Sequence, residues 1–462
     1  MTIFLVTVPG YSEDETDEGI AFLFLGSASG IGESQAWEYQ SNQSDIYMGT
    51  AVTWCNVNGD GYDDVVIGTP NYDNIQGTEG QVLVFYSNGS LPSSTPDWDY
   101  ESDQAGASLG RDVACAGDIN GDFYDDLIVS APNWDIEVAT ASISVGKVYA
   151  FYGSNGGLAA GPNWSAVGSF HQGSFGSGLA AAGDVNNDGY DDIIVGAYNV
   201  SNPENAEGRA HVFLGSSSAP STSPDSTMEQ NVASAYFGIG VSRFGDFNDD
   251  GYDDIIVTGR YNVPDATAYG GIAVFFYPGG PSGLGATPDP EWWVSIPGGE
   301  NTYAALTMID DYDGDGYPEF VFGQRAWSNG QGSEGRIGII SPYPLNDQCG
   351  QAEALGTLPA SVVGKNGGAA DEYTPTCGGS SGGRDVIYSF EGIFNHNYYV
   401  DLTGDFNTIV AVHYGACEGT LIGCNDDFGS LSHSRVEFTA PATDTYSFGS
   451  TVGPARPTAN TP

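Results

Sequence analysis

One nine-residue phrase occurs five times, and it constrains the fold more than any other feature. It reads NVNGDGYDD from Asn56, DINGDFYDD from Asp118, DVNNDGYDD from Asp184, DFNDDGYDD from Asp246 and DYDGDGYPE from Asp311. The copies start 62, 66, 62 and 65 residues apart. Acids or amides stand at positions 1, 3, 5 and 9, and glycine at position 6 in four copies. Short side-chain oxygens at alternate positions converge on one point. A main-chain carbonyl at position 7 and a late carboxylate complete the oxygen shell that a hard cation requires. Glycine at position 6 permits the positive φ of the sharp turn. Five such loops at a near-fixed period describe a repeat architecture that binds calcium.

About five Ca²⁺ are therefore expected. The predicted side-chain ligands are Asn56, Asn58, Asp60 and Asp64, then Asp118, Asn120, Asp122 and Asp126, then Asp184, Asn186, Asp188 and Asp192. Asp246, Asn248, Asp250 and Asp254 follow, and Asp311, Asp313, Asp315 and Glu319 close the series. The carbonyls of Tyr62, Tyr124, Tyr190, Tyr252 and Tyr317 take position 7. Loop 1 carries two negative ligands, loops 2 to 4 three each and loop 5 four. Loop 2 has Phe123 where the turn favours glycine, a strain of about 1 kcal/mol. An EF-hand is excluded because it needs Glu at position 12, and here that position is Ile67, Val129, Val195, Val257 or Phe322.

Each loop leads directly into a short apolar run, such as Val65-Val66-Ile67 or Ile193-Ile194-Val195. Such a run, bounded by turn residues, predicts a buried strand. A turn follows, clearest at Gly68-Thr69-Pro70 and Ser130-Ala131-Pro132, and then an alternating strand such as GQVLVFY from Gly80. GIAFLFLG from Gly19 is a further copy of that strand. Trp37, Trp98, Trp164 and Trp292 each lie 11 residues before a bulky-small pair: Met48-Gly49, Leu109-Gly110, Phe175-Gly176 and Tyr303-Ala304. The remaining unit keeps Phe237-Gly238 but has Ser226 in the tryptophan slot. Fixed offsets of this kind predict packing between neighbouring units. Four strands and one loop per unit read as blades of a β-propeller.

The bulky-Gly pair, the DxNxDGxxD loop and the Gly-Ala-Pro-like turn, in that order, resemble the FG-GAP repeats of integrin α-subunits and their bacterial relatives. The resemblance covers residues 1 to about 343. It implies an all-β FG-GAP β-propeller of six or seven blades, with calcium in the loop joining the first two strands of a blade. It also implies extracellular recognition of a protein or glycan, often in adhesion. Calcium on one face places recognition on the loops between the second and third strands, where Tyr72, Trp134, Tyr261 and Trp327 stand.

Residues 345–462 lack the loop period. Strand-like runs at 386–390, 398–402, 408–412 and 436–438 predict a small β-sandwich. Cys417 and Cys424 bracket a hairpin-like segment, which leaves Cys349 to pair with Cys377. Cys55 and Cys115 precede the first two loops and read equally as a disulfide or as two thiols. The NDxC opening, GGRDVIYSF and CNDDF resemble the bacterial pre-peptidase C-terminal family, which implies a non-catalytic accessory role.

The net charge is −49, from 60 acids against 11 bases. Nucleic acid is excluded as a partner, because phosphate binding needs a basic surface. No stretch approaches the roughly 20 apolar residues of a membrane span. The opening FLVTVP aligns with VVIGTP from Val65, so the chain reads as starting inside a repeat, with upstream sequence including a secretion signal expected. The closing GPARPTANTP stands where a further strand is expected.

G-x-S-x-G occurs at Gly106–Gly110 and Gly378–Gly382 without the strand-to-helix elbow that hydrolases need. The five histidines show no metal spacing. The reading is a secreted or cell-surface calcium-binding propeller without a catalytic motif. The alternative is the accessory region of a larger secreted hydrolase or peptidase.

Overall fold

The computed structural model describes residues 3–285, apart from 28–29, 33, 139–140, 248–249 and 261–271, and beyond these the backbone of strands. Among the described residues all regular structure is β. The chain divides into two compact units. One comprises Met1–Pro290, Ser295–Met308 and Phe322–Gly338; the other comprises Glu291–Val294, Ile309–Val321 and Ile339–Pro462.

The first unit repeats one motif, a four-stranded antiparallel meander. One sheet runs Ala51–Cys55, Asp64–Thr69, Gln81–Phe85 and Trp98–Glu101 in that order. The next runs Val113–Gly117, Asp126–Ala131, Lys147–Phe151 and Trp164–Val167. A third runs from Gly178–Gly183 to Ser226–Met228, and a fourth begins with Gly240–Gly245, Asp254–Arg260 and Ile272–Tyr277. Ahead of them Ile3–Val8, Ile20–Ser27 and Trp37–Gln40 pair as the second to fourth strands of such a sheet. The nine-residue phrases join first strands to second strands, as expected. In an antiparallel meander the connections between second and third strands then lie at the opposite end.

The second strands are buried on both faces, which is why they read as continuous apolar runs. Val65 and Ile67 enter a core shared with Ala21, Leu23 and Trp37, whereas Val66 faces a core shared with Leu127, Val129 and Phe151. Ile128 and Ile194 likewise point to the core on the far side from their neighbours. Each core thus lies between two successive sheets, and the first strands of consecutive sheets are adjacent.

Trp37, Trp98 and Trp164 pack between sheets, as their offsets predict, and Trp292 lies outside the described residues. Trp37 meets Phe85 edge-on at 5.3 Å between ring centroids, Trp98 meets Phe151 at 5.0 Å and Trp164 meets Phe213 at 5.4 Å. The indole N–H of Trp37 donates to Ser93 O and that of Trp98 to Ala159 O. Where Ser226 replaces tryptophan, its hydroxyl takes over this role and donates to Leu284 O at 3.0 Å. Glycine of the bulky-small pair is also fixed by geometry. Gly110 has φ +81° and donates to Ser130 O, and a Cβ on Gly68 would collide with Gly110 O.

Cys55 and Cys115 form a disulfide between the first strands of adjacent sheets, 60 residues apart. The sequence left their state open; proximity decides it, because consecutive first strands lie side by side, with a Cα–Cα distance of 5.2 Å at this pair.

In the second unit, Asp385–Gly392, Asp444–Val452, Thr408–Tyr414 and Thr420–Asn425 form an antiparallel sheet to which Glu353–Ala354 adds in parallel. Asn397–Thr403 pairs with His433–Thr439. Residues 420–424, read from the sequence as part of a hairpin-like segment between cysteines, belong to a strand paired antiparallel with Thr408–Tyr414. The pairings of Cys349, Cys377, Cys417 and Cys424 lie outside the described residues.

Candidate metal centres

Each described loop is a chain of side-chain-to-backbone turns. Asp184 Oδ1 accepts the Asp188 amide at 3.0 Å and its Oδ2 the Gly189 amide at 2.8 Å. Asn186 Oδ1 accepts Asp188 N–H, and Asp188 Oδ1 accepts Tyr190 N–H. Asp246 and Asp250 repeat this with the amides of Asp250, Gly251 and Tyr252. Asp118 takes the amides of Gly121, Asp122 and Phe123. Local side-chain acceptors of this kind hold the backbone in a tight ring and out of strand geometry. At position 6 φ is +85° at Gly61, +92° at Gly189 and +89° at Gly251. Phe123 adopts +71° with its ring 93% exposed, so the strain expected from the sequence is present.

The position-9 aspartate ties the loop to its sheet. Asp192 is fully buried; its Oδ2 accepts Val185 N–H at 2.9 Å and its Oδ1 accepts Gly215 N–H at 2.8 Å, past the third strand. Asp126 does the same with Ile119 and Gly153, and Asp254 with Phe247 and Gly279. Burial, opposed by these amides and reinforced by neighbouring loop acids, pushes Asp126 and Asp192 up to about 8. Asp64 is pushed to about 7 and Asp254 to about 6, again chiefly by burial.

The loops also join one another. Asp191, at position 8, accepts the amide of Asp118 in the preceding loop at 2.9 Å, and Asp253 accepts that of Asp184 at 2.8 Å. The reverse bonds run from Asp191 N–H to Asp118 O and from Asp253 N–H to Asp184 O. Gly117 and Gly183, both at positive φ, make room for these carboxylates, which a Cβ would strike. The Tyr124 ring covers Gly59 and the Tyr190 ring covers Gly121, one loop back. Sequence reading gave these tyrosines only a carbonyl role and gave position 8 none. The recurrence of Asp at position 8, as Asp63, Asp125, Asp191 and Asp253, was the available signal.

Three segments, 48–85, 112–151 and 175–213, match the family model described as FG-GAP repeat. The chain carries FG-GAP repeats. Integrin alpha pat-2 of Caenorhabditis briggsae is 32% identical over 234 residues, 48% of this chain and 18% of that protein. Integrin alpha-5 of Xenopus laevis is 28% identical over 243 residues, 52% of this chain and 22% of its own length. The chain therefore spans a minor part of these relatives. A glycoside hydrolase family 43 arabinoxylan arabinofuranohydrolase from Bacillus subtilis overlaps 88% of this chain and 92% of its own at TM-score 0.30 and 12% identity, too loosely to carry an argument.

In the first described FG-GAP loop, Asn56 Oδ1 and Asp64 Oδ2 are buried without a hydrogen-bond partner. Two orphaned oxygens at positions 1 and 9 fit a cation, since an unpaired buried acceptor otherwise costs about 1–3 kcal/mol. In the other loops several carboxylate oxygens, such as Asp184 Oδ2 and Asp192 Oδ1, accept a single amide and so keep a lone pair for a metal. The loop acids stand apart: among the described residues, three ligand atoms lie within 4.8 Å of one another only at Cys55–Cys115–Asp125 and at Glu79–Glu101–Asp103. The first of these is the disulfide beside one carboxylate. Asn248, Asp311, Asp313, Asp315 and Tyr317 lie outside the described residues, and Glu319 only opens a strand.

Of the aromatics assigned to recognition, Trp134 is instead part of the packing. Its ring meets Tyr149 edge-on at 6.0 Å, and Lys147 Nζ lies 4.5 Å from its centroid. Tyr72 is half-buried at the start of its loop, and Tyr261 and Trp327 fall outside the described residues.

Proposed function

We propose that this chain is a calcium-stabilised FG-GAP β-propeller of six or seven blades that recognises an extracellular protein or glycan. Residues 1–343 form the propeller in this reading, and 345–462 form an accessory sandwich resembling the pre-peptidase C-terminal family. The observation that carries it is the row of loops in which the second is bonded to the third and the third to the fourth across sheet boundaries, through Asp118–Asp191 and Asp184–Asp253. A row of this kind is a scaffold held at one edge by cations, and it leaves the opposite loops free to vary. About five Ca²⁺ are held by the side chains at positions 1, 3, 5 and 9 and the tyrosine carbonyls at position 7. Similarity to integrin alpha chains supports adhesion-type recognition at the cell surface or outside the cell.

Calorimetric titration of the chelated protein with Ca²⁺ tests the scaffold: about five sites are expected, and fewer than three overturn it. Arrays of immobilised matrix proteins and glycans, probed with and without calcium, test recognition. Retention that survives on substituting calcium-loop residues but not the opposite loops supports the assigned face. The reverse pattern rejects it.

A further inference from the structure

The end of the sheets opposite the loops holds an acidic group that the loop scheme does not use. Glu79, just ahead of the third strand Gln81–Phe85, is fully buried. Its Oε1 accepts the Asn74 amide at 2.8 Å, and its Oε2 is buried with no partner. Glu101, half-buried at the end of the fourth strand, and exposed Asp103 bring a carboxylate oxygen each to within 4.8 Å of Glu79 and of one another. Among the described residues none of the three acids is in an ion pair. Asn74 Nδ2 donates to Glu101 Oε1 at 3.4 Å and to its Oε2 at 3.2 Å, but no base among the described residues faces the three carboxylates, and like charges so placed are costly unless a counter-charge joins them.

The same corner recurs in the neighbouring sheets, where Glu18 Oε2 and Glu207 Oε2 are likewise buried without a partner but the groups facing them differ. In the first sheet Glu18 occupies the place of Glu79, but Gln40 and Asn42 replace the two acids. In the sheet that follows, Val145 and Val167 stand in place of Glu79 and Glu101, and Lys147 lies over Trp134. In the next, Glu207 and Glu229 return, and Arg209 pairs with Glu229. Amides, apolar side chains and an arginine thus lessen the repulsion elsewhere, although Glu204 and Glu229 still bear on Glu207. The Glu79 corner alone among these four keeps three acids and gains no base.

We propose that Glu79, Glu101 and Asp103 bind a hard divalent cation, calcium in keeping with their oxygen-only donors, at a site separate from the FG-GAP loops. The unpartnered Glu79 Oε2 anchors the ion inside the sheet end. Glu101 and Asp103 close it from the half-exposed and exposed sides, and water fills the remaining positions that such cations accept. The ion lies at the end of the sheets that carries the second-to-third-strand loops, so it fixes the Asn74 loop on the face read above as the recognition surface.

Equilibrium dialysis against Ca²⁺ at pH 7.5, with metal counted per chain, tests this. The double variant Glu101→Gln, Asp103→Asn places the amides that the first sheet already accommodates, so it retains the fold. It is expected to bind one Ca²⁺ fewer than the wild type, while Asp188→Asn removes a different equivalent and the two losses add. Asp103→Asn alone, at an exposed position, weakens one site at least tenfold. An unchanged stoichiometry in the double variant, together with unchanged affinities in Asp103→Asn, overturns the site. One ion in the wild type and none in the double variant keeps this site and rejects the loop scaffold, so the two readings fail separately.

Discussion

Asp191 accepts the backbone N–H of Asp118 at 2.9 Å, across 73 residues and a sheet boundary. Both residues belong to FG-GAP loops, so the edge of one loop is also the wall of the next. Asp253 and Asp184 repeat the relation. The loops therefore behave as a coupled row.

Asp191→Ala should destabilise the fold by about 1–3 kcal/mol, because it leaves the Asp118 amide without its side-chain acceptor, while the backbone bond from residue 191 to the Asp118 carbonyl remains. Gly117→Ala should cost as much or more, since a Cβ there meets the Asp191 carboxylate at a φ of +75°. Urea denaturation of both variants checks this. A midpoint equal to wild type in either would show that the lock is not a stabilising contact.

Chelation should lower Tm and added calcium should raise it with concentration, because ions bound to the native state alone stabilise it by mass action. Within the series Asp188→Ala should lower Tm more than Asn56→Ala, since loop 1 carries the least ligand charge. That loop should also empty first on titration with chelator. A melting curve indifferent to chelator would refute the structural role of calcium.

The Cys55–Cys115 bridge closes a 60-residue loop between adjacent first strands. Its removal as Cys55→Ala, Cys115→Ala should cost about 4 kcal/mol in the chain-entropy account. Non-reducing peptide mapping should recover the linked pair from protein folded in oxidising medium. Two free thiols there would contradict the pairing.

Asp112 gives a pH dependence of known sign. Burial pushes it up to about 7, although it accepts the amides of Val113 and of Leu179 in the next sheet, each at 3.0 Å. The unfolded value is about 3.9. Between the two the folded chain binds more protons than the unfolded chain, so this group's contribution to stability falls as pH rises from about 4 to about 7. Metal-free Asp112→Asn should lose less stability than wild type over that interval. Equal slopes in denaturation midpoints from pH 4.5 to 8 would rule this out.

The repeat itself was legible from the chain, because its signals are local. Alternating oxygens, glycine at position 6 and a following apolar run lie within a dozen residues, and each has one conformational reading. Trp37, Trp98 and Trp164 were legible as packing for the same reason: a fixed offset reports a fixed neighbour. Phe123 announced its strain because only the backbone at that residue is involved.

What the tertiary structure decided depends on pairs that the sequence holds far apart. Whether Cys55 met Cys115 turned on the adjacency of first strands. The role of Asp at position 8 turned on where the preceding loop lies, and Trp134 turned from a surface aromatic into a packed one beside Tyr149 and Lys147. The charge left bare at Glu79 appears only when strand ends 22 and 24 residues apart, at Glu101 and Asp103, are folded to one corner. Composition fixes how many carboxylates a chain carries; only the packed sheets fix which of them are left facing one another without a counter-charge.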